Sequence, residues 1–515
     1  MQAQRGHKSV LGLKALMWVL HSERPLQDEE LCHALGVEIG STDLDLENTP
    51  TIRTLLASCL GLLTVEVPSS TVRPVHFTLQ ESFSNNPDVF HNPHSTIAEV
   101  CLTYLNSESV RDLSPTLDSA PSTMPLLEYA SVCWGEHARR EMTKNAKILA
   151  LRLLDRFDGH ISAQLLWLRN SRYTDWSSLL SQVAGGPVGF TGLHGVAFLG
   201  IAPMISPLLE MRKWEVNGAN FMGNTALTWA ARRGHEEVVR VLLEQGGIHP
   251  DHPDREYGRT PLIWAIMAGR EGVVRILLER GDINPNKVDT GCGRTPLSWA
   301  AESEHKGIVL MLLERRGINA DHPDREYGRT PLMWAIIAGR EGMVKILLEQ
   351  KDVNPDYAHP KCGITPLLLA AVSGHEGIVK MLLEREDVNP DRADTEYGQT
   401  PLSRAAAWGH EGVVKMLLEL KTVNPDRAGT KDGWTPLAWA ARNGHEGVVK
   451  IFLERSDVGN DGVALILPEP DHANPAKANH PGRAPLPPWL SRPLAALRLD
   501  PFRLPRRAKA SSKNV

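Results

Sequence analysis

Thr435-Pro436-Leu437-Ala438-Trp439-Ala440-Ala441-Arg442-Asn443-Gly444-His445-Glu446-Gly447-Val448-Val449-Lys450-Ile451-Phe452-Leu453 holds two helices and the turn between them. Thr435 offers a hydroxyl to an orphan backbone N–H, and Pro436 takes the first helical position, where a missing donor costs nothing. Leu437, Ala440 and Ala441 form an apolar face with small residues that let a neighbour approach closely, and Gly444 ends the helix. The second helix follows at once. It carries Val448, Val449, Phe452 and Leu453 at helical spacing, with Glu446 in its first turn and Lys450 further along, in accord with the helix dipole. The same signature begins at Thr225, Thr260, Thr295, Thr330, Thr365, Thr400 and Thr435, which stand 35 residues apart without a slip. A fixed period of this size means stacked copies of one supersecondary unit. Polar segments such as Val388 to Gly398 read as the turns that join one helix pair to the next.

The pattern Gly-x-Thr-Pro-Leu-x-x-Ala-Ala, then Gly-His-x-x-Val-Val, resembles the ankyrin repeat. The resemblance spans about half of the chain and implies a solenoid of helix-turn-helix units. A degenerate earlier copy, Thr191, Gly192, Leu193 and His194, then Ala197, Gly200, Leu208 and Leu209, makes about eight units and opens the array near Gly189. Ankyrin units carry His three residues after the Thr. Here only His194 keeps it, the later copies having Thr228, Ile263, Ser298, Met333, Leu368, Ser403 and Ala438.

With 42% hydrophobic and 23% charged residues in 515, the chain has the make-up of a soluble protein able to bury several cores. A formal charge of -5 favours neither nucleic acid nor an anionic membrane. Cys32, Cys59, Cys101, Cys133, Cys292 and Cys362 are scattered without paired spacing and no apolar signal segment opens the chain, so the expectation is plain thiols and a cytoplasmic setting. Gly189 to Leu209 lacks Asp, Glu, Lys and Arg over 21 residues. Its Pro203, Pro207 and glycines, and its register with the repeats, assign it to a buried first unit and not to a membrane span. Pro207 weakens that unit's second helix.

Ahead of the array, residues 9–67 read helix, helix, helix, strand. Leu11 to Leu20 make an apolar first helix, Asp28 to Leu35 an acidic second one and Thr51 to Leu60 a third; Leu62 to Val67 and Val72 to Phe77 form a hairpin. That order is a winged-helix outline. Leu16-Met17-Trp18, Glu23-Arg24-Pro25-Leu26, Glu30-Leu31 and His76-Phe77-Thr78-Leu79-Gln80-Glu81 resemble the winged-helix segment after the NACHT domain of fungal NACHT-ankyrin proteins, itself similar to a segment of proteins labelled inositol deacylases. The resemblance implies NLR-like switches of the STAND class, in which repeats sense a ligand and the NACHT module handles a nucleotide. The chain departs from them in having no Gly-x-x-x-x-Gly-Lys-Ser/Thr phosphate loop, and it begins where a NACHT domain would end. A lipase reading lacks its Gly-x-Ser-x-Gly elbow. Residues 95–176 read as helices: Ser95 caps Thr96 to Leu105, Pro125 opens Leu126 to Arg140, and Thr143 opens a run to about Leu168. Pro125 to Ala130 and Trp134 to Ala138 resemble the same family's helical connector.

The expected domains are thus a winged-helix-like α+β domain at 1–94, a helical connector at 95–187, the repeat array at 188–455 and a Pro-rich basic tail at 456–515, in a mainly α chain. From Gly482 onward the tail carries Arg483, Arg492, Arg498, Arg503, Arg506, Arg507, Lys509 and Lys513 against Asp500 alone, which reads as a solvated, disordered end.

Two sets of residues stand out as partner-binding candidates. Trp229, Trp264, Trp299, Trp334 and Trp439 recur at one place in the first helix, where Leu369 and Arg404 interrupt the series. They suit packing between units as well as contact with a partner on the concave face. The turns between copies, or fingers, project Arg255 and Tyr257, Arg325 and Tyr327, and Glu396 and Tyr397. Asp251, Asp254, Asp321, Asp324 and Asp356 line the same fingers and would repel phosphate, so no nucleic-acid partner is expected. The third helix of the N-terminal segment offers Arg53 as its only cation, too little for a groove reader. His249-x-x-His252 has loose metal spacing, but its other copy has Ala320 and His322. No nucleophile, base and orienting group recur together. Asp251 to Arg280 and Asp321 to Gln350 differ at five of thirty places, as copied recognition units would. The expectation is a non-enzymatic protein-binding solenoid without cofactor, metal or membrane partner, serving as the sensor arm of a NACHT-type switch. One alternative is half of a split STAND NTPase; another is a basic-tailed nuclear adaptor.

Overall fold

The computed structural model describes residues 7–76, 78–85, 89–114, 120–171, 189–211, 213–431 and 433–455. The expected tail, Phe77 and the stretch 172–188 lie outside them. Contacts divide the chain into two compact units, one running to Arg255 and the other starting at Glu256, so the boundary falls inside the repeat array.

The first unit opens with α1 (His7–His21), α2 (Asp28–Gly36) and α3 (Ile52–Ser58), followed by an antiparallel hairpin of β1 (Leu63–Glu66) and β2 (Thr71–Pro74). Ala15, Leu16, Trp18, Leu31, Leu55, Leu63 and Val72 bury the faces these elements share. The strands are shorter than the sequence suggests. Ser70, at φ 51°, turns the chain tightly, and β2 ends at Pro74, which has no N–H for the ladder. Leu26 to Asp28 lie along the other edge of β2, through Val72 N–H to Leu26 O and Asp28 N–H to Ser70 O, both 2.9 Å. Sequence reading missed that third extended segment, because it is only a few residues long.

Helices α4 (Thr78–Ser84), α5 (Pro93–Asn106), α6 (Glu108–Arg111), α7 (Leu126–Arg140), α8 (Lys144–Asp155) and α9 (Ile161–Ser171) follow, with α5 packed on α7 and α8. Two boundaries differ from expectation. α5 starts at Pro93 after Asn92, whose φ is 49°, so Ser95 lies buried inside the first turn, where its hydroxyl accepts from Thr143 N–H at 3.3 Å. The run opened by Thr143 breaks at Arg156 and restarts as α9, because Phe157–Gly159 winds into a 3₁₀ turn. Thr143 does cap α8, accepting from Ala146 N–H at 3.1 Å. The uncharged stretch from Gly189 forms Gly192–Leu199 and, after a 3₁₀ turn, a short Ile205–Glu210 that contains Pro207. A second helix pair, Ala226–Arg233 and Glu236–Leu243, completes the unit. No helix among the described residues is long and apolar enough to cross a membrane.

The second unit consists of six further helix pairs, from Pro261–Met267 and Glu271–Glu279 to Pro436–Arg442 and Glu446–Leu453. Each first helix has its threonine as N-cap: Ile263, Ser298, Met333, Leu368, Ser403 and Ala438 donate backbone N–H to Thr260, Thr295, Thr330, Thr365, Thr400 and Thr435 at 3.1–3.4 Å. Such a cap contributes about 1 kcal/mol. Gly374 and Gly409 end their helices at φ 70° and 77°, a left-handed turn that leaves space the next copy's imidazole fills. His410 and His445 place Nε2 2.9 and 3.0 Å from Val372 O and Ala407 O, tying each copy to the one before. In the second helices, residues such as Val413, Val414 and Leu417 are wholly buried, each stabilising the stack by about 1.5–3 kcal/mol.

Candidate functional site

Trp264, Trp299 and Trp334 belong to a repeating sequence triad, which Trp439 lacks. Counting from the capping threonine, an aspartate stands six residues before it, an arginine one before it and the tryptophan four after it, as in Asp289, Arg294 and Trp299 or Asp324, Arg329 and Trp334. The aspartate joins finger to helix. Its Oδ1 accepts from the backbone of the finger turn (Cys292 N–H to Asp289, 2.7 Å; Tyr327 N–H to Asp324, 2.6 Å), while its Oδ2 accepts the indole N–H of Trp299 at 2.8 Å or Trp334 at 3.0 Å. The arginine lies between indoles of successive copies. The Arg294 guanidinium carbon is 3.8 Å from the ring centres of both Trp299 and Trp334, and that of Arg259 is 5.2 Å from Trp264 and 4.9 Å from Trp299. Cation and ring thus alternate along the stack, a favourable arrangement once water is removed. Arg404 takes the tryptophan's place in its copy and donates to Asp394 Oδ2 at 3.0 Å.

The indoles are therefore largely enclosed. Trp264 is 4% exposed and Trp439 8%, while Trp299 and Trp334 are partly buried. In the first unit Trp229, 2% exposed, meets the rings of Phe190 and Phe198 at 5.7 and 5.5 Å.

The fingers present the other candidates at the surface. Arg255 in the first unit and Arg325 in the second are exposed; Tyr257, Tyr327 and Tyr397 are partly so. Each tyrosine ring lies beside a cation: Tyr257 with Arg259 at 4.3 Å, Tyr327 with Arg329 at 4.4 Å, and Tyr397 with Lys431 at 4.8 Å. Finger backbones also bond in sequence, as from Arg325 N–H to Cys292 O at 2.8 Å and Thr430 N–H to Tyr397 O at 2.8 Å, so the tips are held rigidly. Burial, then the Glu326 carboxylate, pushes the Tyr327 phenol up to about 12. Glu396 raises that of Tyr397, and burial raises Asp321 and lowers Arg329.

Sequence reading missed the aspartate and arginine of the triad, although both recur at the 35-residue period; it weighed the aspartates only as surface charge. The His194 feature is present: its Nδ1 lies 2.8 Å from Thr191 Oγ1 and its Nε2 3.0 Å from Asn224 O, and burial depresses its pKa to about 4. Among the described residues, Glu23, His94 and His137 have donor atoms within 4.8 Å of one another, close enough to share an ion. Their atoms already have partners. The two Nδ1 atoms are 2.9 Å apart, His137 Nε2 meets Tyr129 Oη at 2.9 Å, and Arg140 pairs with Glu23. His249 and His252 belong to no such group among the described residues. All six cysteines are free thiols, and burial pushes Cys32 and Cys59 up to about 11 and Cys292 to about 12.

No curated protein matches the chain. Among solved structures it is similar to the ankyrin repeat domain of Bcl-3, described as a unique member of the IkappaB protein family, at 26% identity and a TM-score of 0.40, over 45% of this chain and 100% of that one. A family model described as ankyrin repeats (3 copies) matches residues 193–289, 281–359 and 353–427, and another, ankyrin repeats (many copies), matches 402–453. From residue 193 to residue 453, the chain is an array of ankyrin repeats.

Proposed function

We propose that the array is a protein-binding module whose contact surface is the row of finger tips, supported by the enclosed ladder of Trp and Arg beneath them. The observation that carries this reading is the aspartate that bonds both ways. One oxygen caps the turn and the other holds the indole, so a tip carrying an exposed Arg325 and a partly buried Tyr327 is anchored to the core. Rigid tips with an aromatic and a charge lose little entropy on docking. The tryptophans bind a partner through this support and, where Trp299 and Trp334 remain partly exposed, along the concave face. Affinity capture with the full chain tests it, set against a variant with Arg325→Ala, Tyr327→Ala and Tyr397→Ala. Recovery of the same proteins by both would overturn the assignment.

The finer reading is that this module is the sensor and regulatory part of a NACHT-type, NLR-like switch in the cytoplasm, with 1–94 as a winged-helix domain and 95–187 as its connector. What supports it is the resemblance carried by Leu16 to Trp18, Glu23 to Leu26 and His76 to Glu81, together with the helix, helix, helix, hairpin order of α1 to β2. Without a phosphate loop the chain handles no nucleotide by itself. Calorimetry with ATP and GTP checks this, and saturable binding by the isolated chain would end it. A co-purifying NACHT protein would favour the split-NTPase alternative.

A further inference from the structure

Two stretches of the second unit with the same sequence have different surroundings. Gly258 to Leu262 and Gly328 to Leu332 are identical, yet Arg259 is 3% exposed while its counterpart Arg329 is only partly buried. The cause lies one copy further on. Arg259 faces Trp299 at 4.9 Å, and Arg294 faces Trp334 at 3.8 Å. One copy on from Arg329 the equivalent residue is Leu369, and that copy has lost the whole triad, with His359 in the aspartate's place and Ile364 in the arginine's. Where the next indole would stand there is a cavity of about 390 Å³, lined by Tyr327, Arg329, Met333, Tyr357, Ile364 and Leu369.

We propose that this cavity receives one aromatic side chain, tryptophan above all, from a protein partner, filling the missing rung of the ladder. The proposal rests on the reading of the array as a protein-binding module and names what the partner inserts. A planar guanidinium accepts an aromatic ring on its face, as the neighbouring rungs show in this same molecule. Met333, Ile364 and Leu369 give an apolar floor, Tyr327 and Tyr357 stand on adjacent fingers at its sides, and the volume falls within the range of about 300–1,000 Å³ that suits small-ligand pockets. Arg325, Arg329 and Lys361 stand in the lining with Asp324 and Glu326, so charge alone does not select against a phosphate-bearing ring, and AMP is the competing probe. The cavity is open on one side to a partner, and an aromatic anchor seated in such a pocket is how binding energy concentrates at interfaces.

The test uses the full chain with N-acetyl-L-tryptophanamide as probe, followed by saturation-transfer NMR. Saturable binding near ~1 mM is expected for a single indole, with none for N-acetyl-L-leucinamide. Leu369→Trp builds the rung from within and should weaken the probe at least tenfold while leaving the far-UV spectrum unchanged. Should that variant misfold, Leu369→Phe, a smaller plug, should weaken it severalfold. Arg329→Lys keeps the charge but not the plane, and should also weaken it severalfold. Absent saturation, undiminished binding in correctly folded plugged variants, or binding of AMP in preference to the amide would each overturn the proposal. If the probe fails while the finger variants still lose their captured proteins, the pocket assignment falls and the protein-binding reading stands.

Discussion

Converting one irregular rung into a standard one tests the ladder most severely. In the copy capped by Thr400 the buried Asp394 is balanced by Arg404, which occupies the tryptophan's place, while Gln399 occupies the arginine's. Gln399→Arg alone adds a second guanidinium beside Arg404; in neighbouring rungs these two places are 3.8–5.2 Å apart, measured from guanidinium to ring. Two like charges about 4–5 Å apart at an effective dielectric of about 20 repel by about 3–4 kcal/mol. Arg404→Trp alone leaves the Asp394 side chain, 1% exposed, without a cation. Removing one partner of a buried pair costs about 3–5 kcal/mol. Together the substitutions recreate Asp, Arg and Trp, with the new arginine between the new indole and Trp439, and the double variant should lie within about 1.5 kcal/mol of the parent. The expected coupling is therefore at least about 4 kcal/mol, favourable. Urea unfolding of the full chain by far-UV circular dichroism measures it, with native-state hydrogen exchange over residues 394–418 locating the change. Additive destabilisation, with the double variant worse than either single one, would refute the claim that charge balance governs the rung.

Trp334→Phe keeps a ring between Arg294 and Arg329 but removes the donor to Asp324, and should lower stability by about 2 kcal/mol in the same urea assay. Acid should weaken the first unit. Burial depresses His137 to about 3 and His160 and His194 to about 4, so these imidazoles stay neutral in the fold while the unfolded chain takes up protons below about 6.5. Stability is then full above that pH and falls by up to about 1.4 kcal/mol per histidine per pH unit down to the folded values, which urea midpoints between pH 7 and 4 would show. His410→Ala removes the bond to Val372 O and leaves the space beside Gly374 empty; a loss of about 1–2 kcal/mol is expected, read as faster exchange over residues 366–383.

Much of this arrangement was legible because it is local. A threonine before proline, small residues on one face and glycine at the turn dictate a helix pair within one copy, so the eight pairs fall where the period places them. The boundaries that moved, at Asn92 and Arg156, depend on backbone conformations that residue type only weakly restricts. The triad was hidden for another reason. Asp324 and Trp334 are ten residues apart and meet only when the finger folds back over the helix, while Arg294 meets Trp334 only after one copy stacks on the next. Contacts between copies are set by what each neighbour carries at the same register, so the sequence shows them only when copies are read side by side.

Read in that way, the copies obey a rule that no single one reveals. Asp254 is accompanied by Arg259, Asp289 by Arg294, Asp324 by Arg329, and Asp394 by Arg404 at the alternative place. Where the aspartate is absent the cation is absent too: Ala219 goes with Asn224 and Trp229, His359 with Ile364 and Leu369, and Gly429 with Trp434 and Trp439. Each copy thus carries either one acid and one cation at these places or neither. Desolvation favours this, since an unmatched charge in the layer between copies destabilises the fold by several kcal/mol; Arg404 pairs directly with Asp394, whereas Arg294 pairs with Glu302 at 2.7 Å, an acid outside these places. Balance within each copy makes whole copies interchangeable in charge, which is why a block such as Asp321 to Gln350 can nearly repeat Asp251 to Arg280 without disturbing the stack. Shape is not balanced in the same way. An arginine without an indole on the next copy leaves open space, and Arg329 before Leu369 is where that space lies.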